Sequence, residues 1–120
     1  MPLSGHELQD SARATALALP GTDQGHPFTE HLEVHKVAGK VFLIITEDPD
    51  ELIITLKAEP EHGRLLQRTY ASITAGRYLN KRHWISVGAG RGITADLVAE
   101  LVDHSYHLVL ETVAQGRRPG

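Results

Sequence analysis

The chain of 120 residues carries eight His, fifteen Asp and Glu and twelve Lys and Arg, which supply acid–base, metal or anion chemistry if the fold gathers them. His31-x-Glu33-x-His35 sets two imidazoles and a carboxylate on one side of an extended segment, a donor set suited to zinc or iron. The spacing indicates no fourth ligand, so a solvated strand face is the expected reading. Glu100, His104, His107 and Glu111 share one side of a helical stretch and form two ordinary i,i+4 pairs, again expected to be solvated. Asp48, Asp50 and Glu51 make an acidic turn that reads as turn chemistry rather than a cation site. Gly88-Ala89-Gly90-Arg91-Gly92 lies between a strand and a helix, as a phosphate loop would. Ile93, however, occupies the third glycine position of the dinucleotide fingerprint. A flexible connection with a loose anion contact through Arg91 is expected. No nucleophile elbow, Walker loop or metalloprotease helix pattern is present, and no His stands at a readable spacing from a nucleophile. The expectation is a protein without catalytic residues, cofactor or metal.

Charge layout is more informative. Residues 1–60 hold 4 basic and 10 acidic side chains, and residues 61–120 hold 8 and 5, which yields the net −3. From His62 to Ala95 there is no Asp or Glu, while Arg64, Arg68, Arg77, Lys81, Arg82 and Arg91 fall in that span with Tyr70, Tyr78 and Trp84 between them. Cations interleaved with aromatics attract phosphate backbones through counterion release and steering. The absence of Cys excludes disulfides, thiolate nucleophiles and Cys-ligated metal centres. The longest apolar run, Val41 to Ile45, is too short to cross a bilayer, and no basic-then-apolar signal pattern opens the chain, so a cytoplasmic protein without membrane contact is expected.

These residues need elements to position them. Ser4-Gly5-His6-Glu7 fits a capping box opening a helix that runs to about Leu19, where Pro20-Gly21 stops it. Leu8, Ala12, Thr15 and Leu19 share its stripe beside Ala16. Residues 20–30 read as a loop. Three strands follow at His31–Val37, Val41–Thr46 and Glu51–Lys57, joined by short turns as an antiparallel meander. The first of these puts Leu32 and Val34 on one face and His31, Glu33 and His35 on the other. The second, apolar on both faces, is expected at the centre. Pro60 opens a short helix ending near Tyr70, residues 72–79 and 83–88 read as extended, and a helix capped by Thr94 runs from about Ala95 to Val113. Ile93 is placed to staple onto Val98, and Ser105 in the apolar stripe permits close packing. The tail Gly116–Gly120 is expected to fray. The order predicts one α+β domain over residues 1–120. It is a two-layer sandwich of about five antiparallel strands, with the N- and C-terminal helices on one face and a short connecting helix.

Leu79-Asn80-Lys81-Arg82-His83-Trp84-Ile85-Ser86-Val87 resembles the Asn-Lys-x-His-Trp signature of the MmcQ/YjbR-like family. Pro20-Gly21, Pro27-Phe28, Gly39-Lys40-Val41-Phe42, Leu56-Lys57-Ala58-x-Pro60 and Leu101-Val102-x-x-Ser105-Tyr106-x-x-Val109 agree in order, over about residues 8–113. The chain departs where the family has Pro-Gly and then an aromatic followed by His. It has Ala75-Gly76 and Arg77-Tyr78 there, which adds a cation. The resemblance implies a frataxin-like (CyaY-like) arrangement and a DNA-binding module without catalytic residues. Weak, salt-sensitive phosphate contacts would then fall to Arg77, Lys81, Arg82 and Arg91, with Lys40 and Lys57 on the hairpin side and hydrogen bonds from Asn80 or His83. The alternative is an adaptor for a protein or small ligand, with Asn80, His83, Trp84 and Tyr106 converging on a pocket. Frataxin-like metal handling would need acids on the first helix, which offers only Glu7 and Asp10.

Overall fold

A computed structural model describes residues 3–48, 51–76 and 79–113. The chain runs α1 (Gly5–Ala18), β1 (Thr22–Gly25), β2 (Leu32–Val37), β3 (Lys40–Asp48), β4 (Glu51–Lys57), α2 (Pro60–Thr69), β5 (Ile73–Ala75), β6 (Trp84–Gly88) and α3 (Ala95–Leu110). The strands form one antiparallel sheet in the order β1-β2-β3-β4-β6-β5. The sheet therefore has six strands rather than about five. The extra one, β1, lies inside the segment expected to be a loop and pairs with β2 at an edge. Its four residues, Thr-Asp-Gln-Gly, bury too little to alternate, so no periodic signal marks it. Among the described residues of the 72–79 segment, the strand covers Ile73–Ala75.

Both long helices start as their caps dictate. Ser4 Oγ accepts from the Glu7 N–H at 3.1 Å, and the Glu7 carboxylate accepts from the Ser4 N–H at 2.9 Å. Thr94 Oγ1 caps α3 through the Leu97 N–H at 3.2 Å. Ile93 and Val98 are both fully buried, as a staple requires. The helices pack on the face of Leu43, Ile45, Ile54, Leu56, Ile85 and Val87 and close one core with Leu8, Ala12, Ala16, Val98, Leu101, Val102 and Tyr106. Helix α2 joins through Leu66 and through Gly63, where an added Cβ would lie 3.3 Å from Ile85. The other face carries a cross-strand row of Val34, Ile44, Thr55 and Ser86, in which Thr55 and Ser86 share a hydroxyl hydrogen bond of 2.8 Å.

The β2–β3 turn uses two residues, Ala38 (φ 52°) and Gly39 (φ 80°), between the paired Val37 and Lys40. Two positive φ angles in a two-residue hairpin match the right-handed strand twist. Beyond the turn the register shifts, leaving Phe42 without an opposite residue on β2.

The expected solvated set on β2 is corrected. His31 is exposed, but Glu33 and His35 are buried and face the helices. Arg13 of α1 makes this tolerable. Its Nε donates to both Glu33 oxygens, at 2.9 and 3.1 Å, and His35 Nε2 lies 2.6 Å from Glu33 Oε2. The α3 pairs also differ from expectation. His104 reaches Glu59 at 3.3 Å and stacks obliquely on His62, while His107 lies against Asp103. Asp50 of the acidic turn and the tail from residue 114 lie outside the described residues.

Candidate functional site: the cationic end of the sheet

Four segments distant in sequence meet where β3 starts, β4 ends and β6 starts. Asn80 builds the local turn. Its Oδ1 accepts from the Arg82 N–H at 2.9 Å, and its carbonyl accepts from the N–H groups of His83 and Trp84, each at 3.1 Å. The turn is docked on the sheet exit by the Ala58 N–H, which donates to the His83 carbonyl at 2.9 Å. Gly76 lies against Trp84 so closely that an added Cβ would stand 2.6 Å from the Trp84 Cβ and 2.8 Å from its carbonyl oxygen. The local backbone thus spends Asn80 on geometry and leaves the Lys81, Arg82 and His83 side chains exposed.

Two concavities flank this turn. The first, about 220 Å³, lies between α2 and the sheet edge and is lined by Arg64, Gln67, Lys81 and Arg82 over Gly63, Ala75 and Ile85. Its three cations have no ion-pair partner among the described residues. The second, about 390 Å³, is lined by Lys40, Val41, Lys57, Leu79, Trp84, Val109 and Thr112. Lys57 and Trp84 are cross-strand partners. Lys40 Nζ donates to Thr112 Oγ1 at 3.2 Å and reaches the Thr112 carbonyl at 3.5 Å, countering the negative carbonyl end of α3. Lys57 is set by Ser105, whose Oγ accepts from the Lys57 N–H at 2.8 Å and donates to the Phe42 carbonyl at 2.6 Å.

The expected site residues therefore divide. Lys40, Lys57, Asn80, Lys81, Arg82, His83 and Trp84 come to one end of the sheet. Arg91 does not, because it follows the far end of β6. The Gly88–Gly92 loop there is pinned rather than free: Ser72 Oγ donates to the Gly88 carbonyl at 2.7 Å, and the Gly88 N–H donates to the Ser72 carbonyl at 2.9 Å. Arg77 lies outside the described residues. Neither hollow counts Asn80, His83 or Tyr106 among its described lining residues. Tyr106 is buried in the core against Phe42, with its hydroxyl donating to the Pro20 carbonyl at 2.6 Å. Burial raises the Tyr106 phenol, and Asp103 adds to that rise. Trp84 is half-buried at the rim of the second hollow. The acid-free stretch already contained Arg64. Leu79, Val41, Val109 and Thr112 carried no comparable signal.

One group elsewhere has ligand spacing. Donor atoms of His26, Glu33 and Glu47 lie within 4.8 Å of one another. Arg13 occupies both Glu33 oxygens, and His26 Nε2 lies 3.3 Å from Glu47, so the carboxylates are already matched by protein donors. Burial works to raise the Glu33 carboxyl, but hydrogen bonds from Arg13 and His35, with the Arg13 charge, hold it below the usual carboxylate range. Hydrogen bonding to Glu33 raises Arg13 in turn. Burial lowers His35, outweighing its bond to Glu33. No described helix is long and apolar enough to cross a membrane.

Similarity to known proteins agrees with this architecture. A solved structure of the Deinococcus radiodurans protein DR2400, a DUF419 domain, superposes with a TM-score of 0.80 at 31% identity, covering 90% of this chain and 83% of that one. A Pseudomonas syringae protein shares the fold with a TM-score of 0.68 at 21% identity, covering 88% and 98% of the two chains. Among curated relatives, the Escherichia coli O157:H7 uncharacterized protein YbdF is 36% identical over 108 residues, 90% of this chain and 88% of its own. The uncharacterized protein YjbR of Escherichia coli K12 is 27% identical over 103 residues, 85% and 86% of the two chains. The sequence model of the YjbR family matches residues 17–108, and with these relatives it establishes that the chain belongs to the YjbR family.

Proposed function

We propose that this YjbR-family chain is a single-domain, cytoplasmic, non-enzymatic module that contacts nucleic-acid phosphates through the groove between α2 and the turn before β6. One observation carries the reading. Arg64, Lys81 and Arg82, from two segments, line one concavity with no ion-pair partner among the described residues and no acidic lining residue. Unpaired cations on a shallow surface suit a phosphate chain, which offers charge at regular spacing and needs no deep pocket. Such contacts position the protein without reading bases, so binding is weak and non-specific in sequence. Arg77 extends the same basic run in sequence, and the exposed His83 follows Arg82 with a further donor. The frataxin-like arrangement implied by the signature belongs to this reading, supported by the helix–sheet–helix order and by α1 and α3 lying on one face.

Fluorescence anisotropy with labelled duplex DNA at a series of salt concentrations tests it. Three phosphate contacts predict a log–log slope of roughly −2.7. A Lys81→Glu/Arg82→Glu variant, shown folded by circular dichroism, is expected to lose most of the binding and flatten the slope. Absence of wild-type binding at low salt refutes the proposal.

A further inference from the structure

We propose that the second hollow, at Lys57 and Trp84, is a binding site for a small carboxylate with an aromatic or branched apolar body. The inference does not depend on nucleic-acid binding at the neighbouring groove. The hollow measures about 390 Å³, within the range of small-molecule sites. Val41, Leu79, Trp84 and Val109 give it an apolar lining, and no carboxylate side chain is among its described lining residues. Two ammonium groups stand at its edge in different states. Lys40 is committed to Thr112 and neutralises the carbonyl end of α3, which would otherwise repel an anion. Lys57 has no side-chain partner among the described residues, so its charge is free for a ligand. Its backbone N–H is held by Ser105, which fixes where the side chain leaves β4 without engaging its charge.

Charge and lining together select the ligand class. A cation beside an apolar wall favours a ligand with one anionic end, because the carboxylate takes the charge-assisted hydrogen bond while the body displaces water from the hollow. A bare phosphate satisfies only the first requirement, and a neutral apolar molecule only the second. Two other concavities differ. The one over β1 and β2, about 520 Å³, sets Asp23 against Lys36, and the groove at Arg64, about 220 Å³, is smaller, with Arg64, Lys81 and Arg82 and no aromatic side chain among its described lining residues.

Trp84 is the chain's single Trp, so its indole N–H yields one reporter signal in an amide-correlation NMR spectrum of the labelled full chain. The probes are benzoate, 4-methylpentanoate, benzamide and inorganic phosphate. Both acids are expected to shift the Trp84 indole and the Val41 and Val109 amides saturably, with benzamide and phosphate at least about tenfold weaker. Lys57→Gln is expected to weaken benzoate at least about tenfold while keeping a dispersed spectrum. Should that variant not fold, Leu79→Asp at the exposed rim sets a repelling carboxylate there and is expected to have the same effect. Absence of saturable shifts with the acids overturns the site. Equal binding of benzamide, or of phosphate, overturns the ligand class.

Discussion

Ser105 on α3 holds Lys57 on β4 by its backbone: the serine Oγ accepts from the Lys57 N–H at 2.8 Å and passes its own proton to the Phe42 carbonyl at 2.6 Å. Phe42 is the residue that the β2–β3 register shift leaves unpaired, and Lys57 lies one residue past the end of the β3–β4 pairing at Leu43 and Leu56, so one hydroxyl serves two groups outside those regular pairings. The contact makes α3 a structural support for the cationic end as well as a core helix.

Ser105→Ala removes that bridge and leaves a buried carbonyl with an unmet partner. A loss of about 1–3 kcal/mol is expected, read as a lower urea midpoint at unchanged slope. A change under a few tenths would mean that a water replaces the hydroxyl.

Arg13 and Glu33 can be separated by a double-mutant cycle. Arg13→Met leaves Glu33 buried with only His35 beside it. The expected cost is about 2–3 kcal/mol, less than for a fully buried pair because the Arg13 side chain is 27% exposed. Glu33→Leu in the Arg13→Met background is expected to restore part of the stability, since an apolar pair satisfies the site without desolvated charge. Additive losses would contradict the pairing.

Acid should weaken the fold through His35. The ring is fully buried, its Nδ1 has no hydrogen-bond partner among the described residues, and burial lowers its pKa below the usual 6.5. A depressed histidine is neutral in the native state and takes up its proton more readily when unfolded. Stability is therefore full above about pH 6.5 and falls as pH drops toward the native-state value. Glu33 and Arg13 face the ring, and the depressed Glu33 carboxyl adds a second loss at lower pH, below its usual range. Thermal midpoints between pH 7.5 and 5 check this, with His35→Asn expected to flatten the upper part of the slope.

Ala38 sits at φ 52°, a conformation that costs an L-residue about 1 kcal/mol and that Asn tolerates better. Ala38→Asn is expected to raise stability by about 0.5–1 kcal/mol in chemical denaturation. The same turn delivers Lys40 to its hollow, so the Lys40–Thr112 contact should persist.

Arg91 provides an internal control for the phosphate groove. It lies beyond the far end of β6 from Lys81 and Arg82. Arg91→Glu is expected to leave the salt slope of DNA binding unchanged, whereas Arg64→Glu reduces its magnitude by about one contact, roughly 0.9. Equal losses from both would place the interface elsewhere.

Much of the frame was legible in the residues. The Ser4–Glu7 capping box, the Thr94 cap, the doubly apolar β3 and the Pro60 helix start each rest on contacts a few positions apart, which local pattern reports directly. The acid-free stretch from His62 to Ala95 likewise marked the basic surface. Other features depend on partners far along the chain. Alternation on β2 separates Glu33 and His35 from Val34, but only Arg13 arriving from α1 turns the polar set inward. β1 is a strand because β2 offers it an edge, since its own four residues carry no pattern. The hollow at Trp84 joins Lys40, Lys57, Val109 and Thr112, residues that become neighbours only when the hairpin and α3 close on β6. Local sequence determined which segments become helix or strand, because capping and side-chain period act within a turn or a pleat. Packing decided which faces meet, since burying a charge or joining a cavity requires partners that only the closed chain brings within reach.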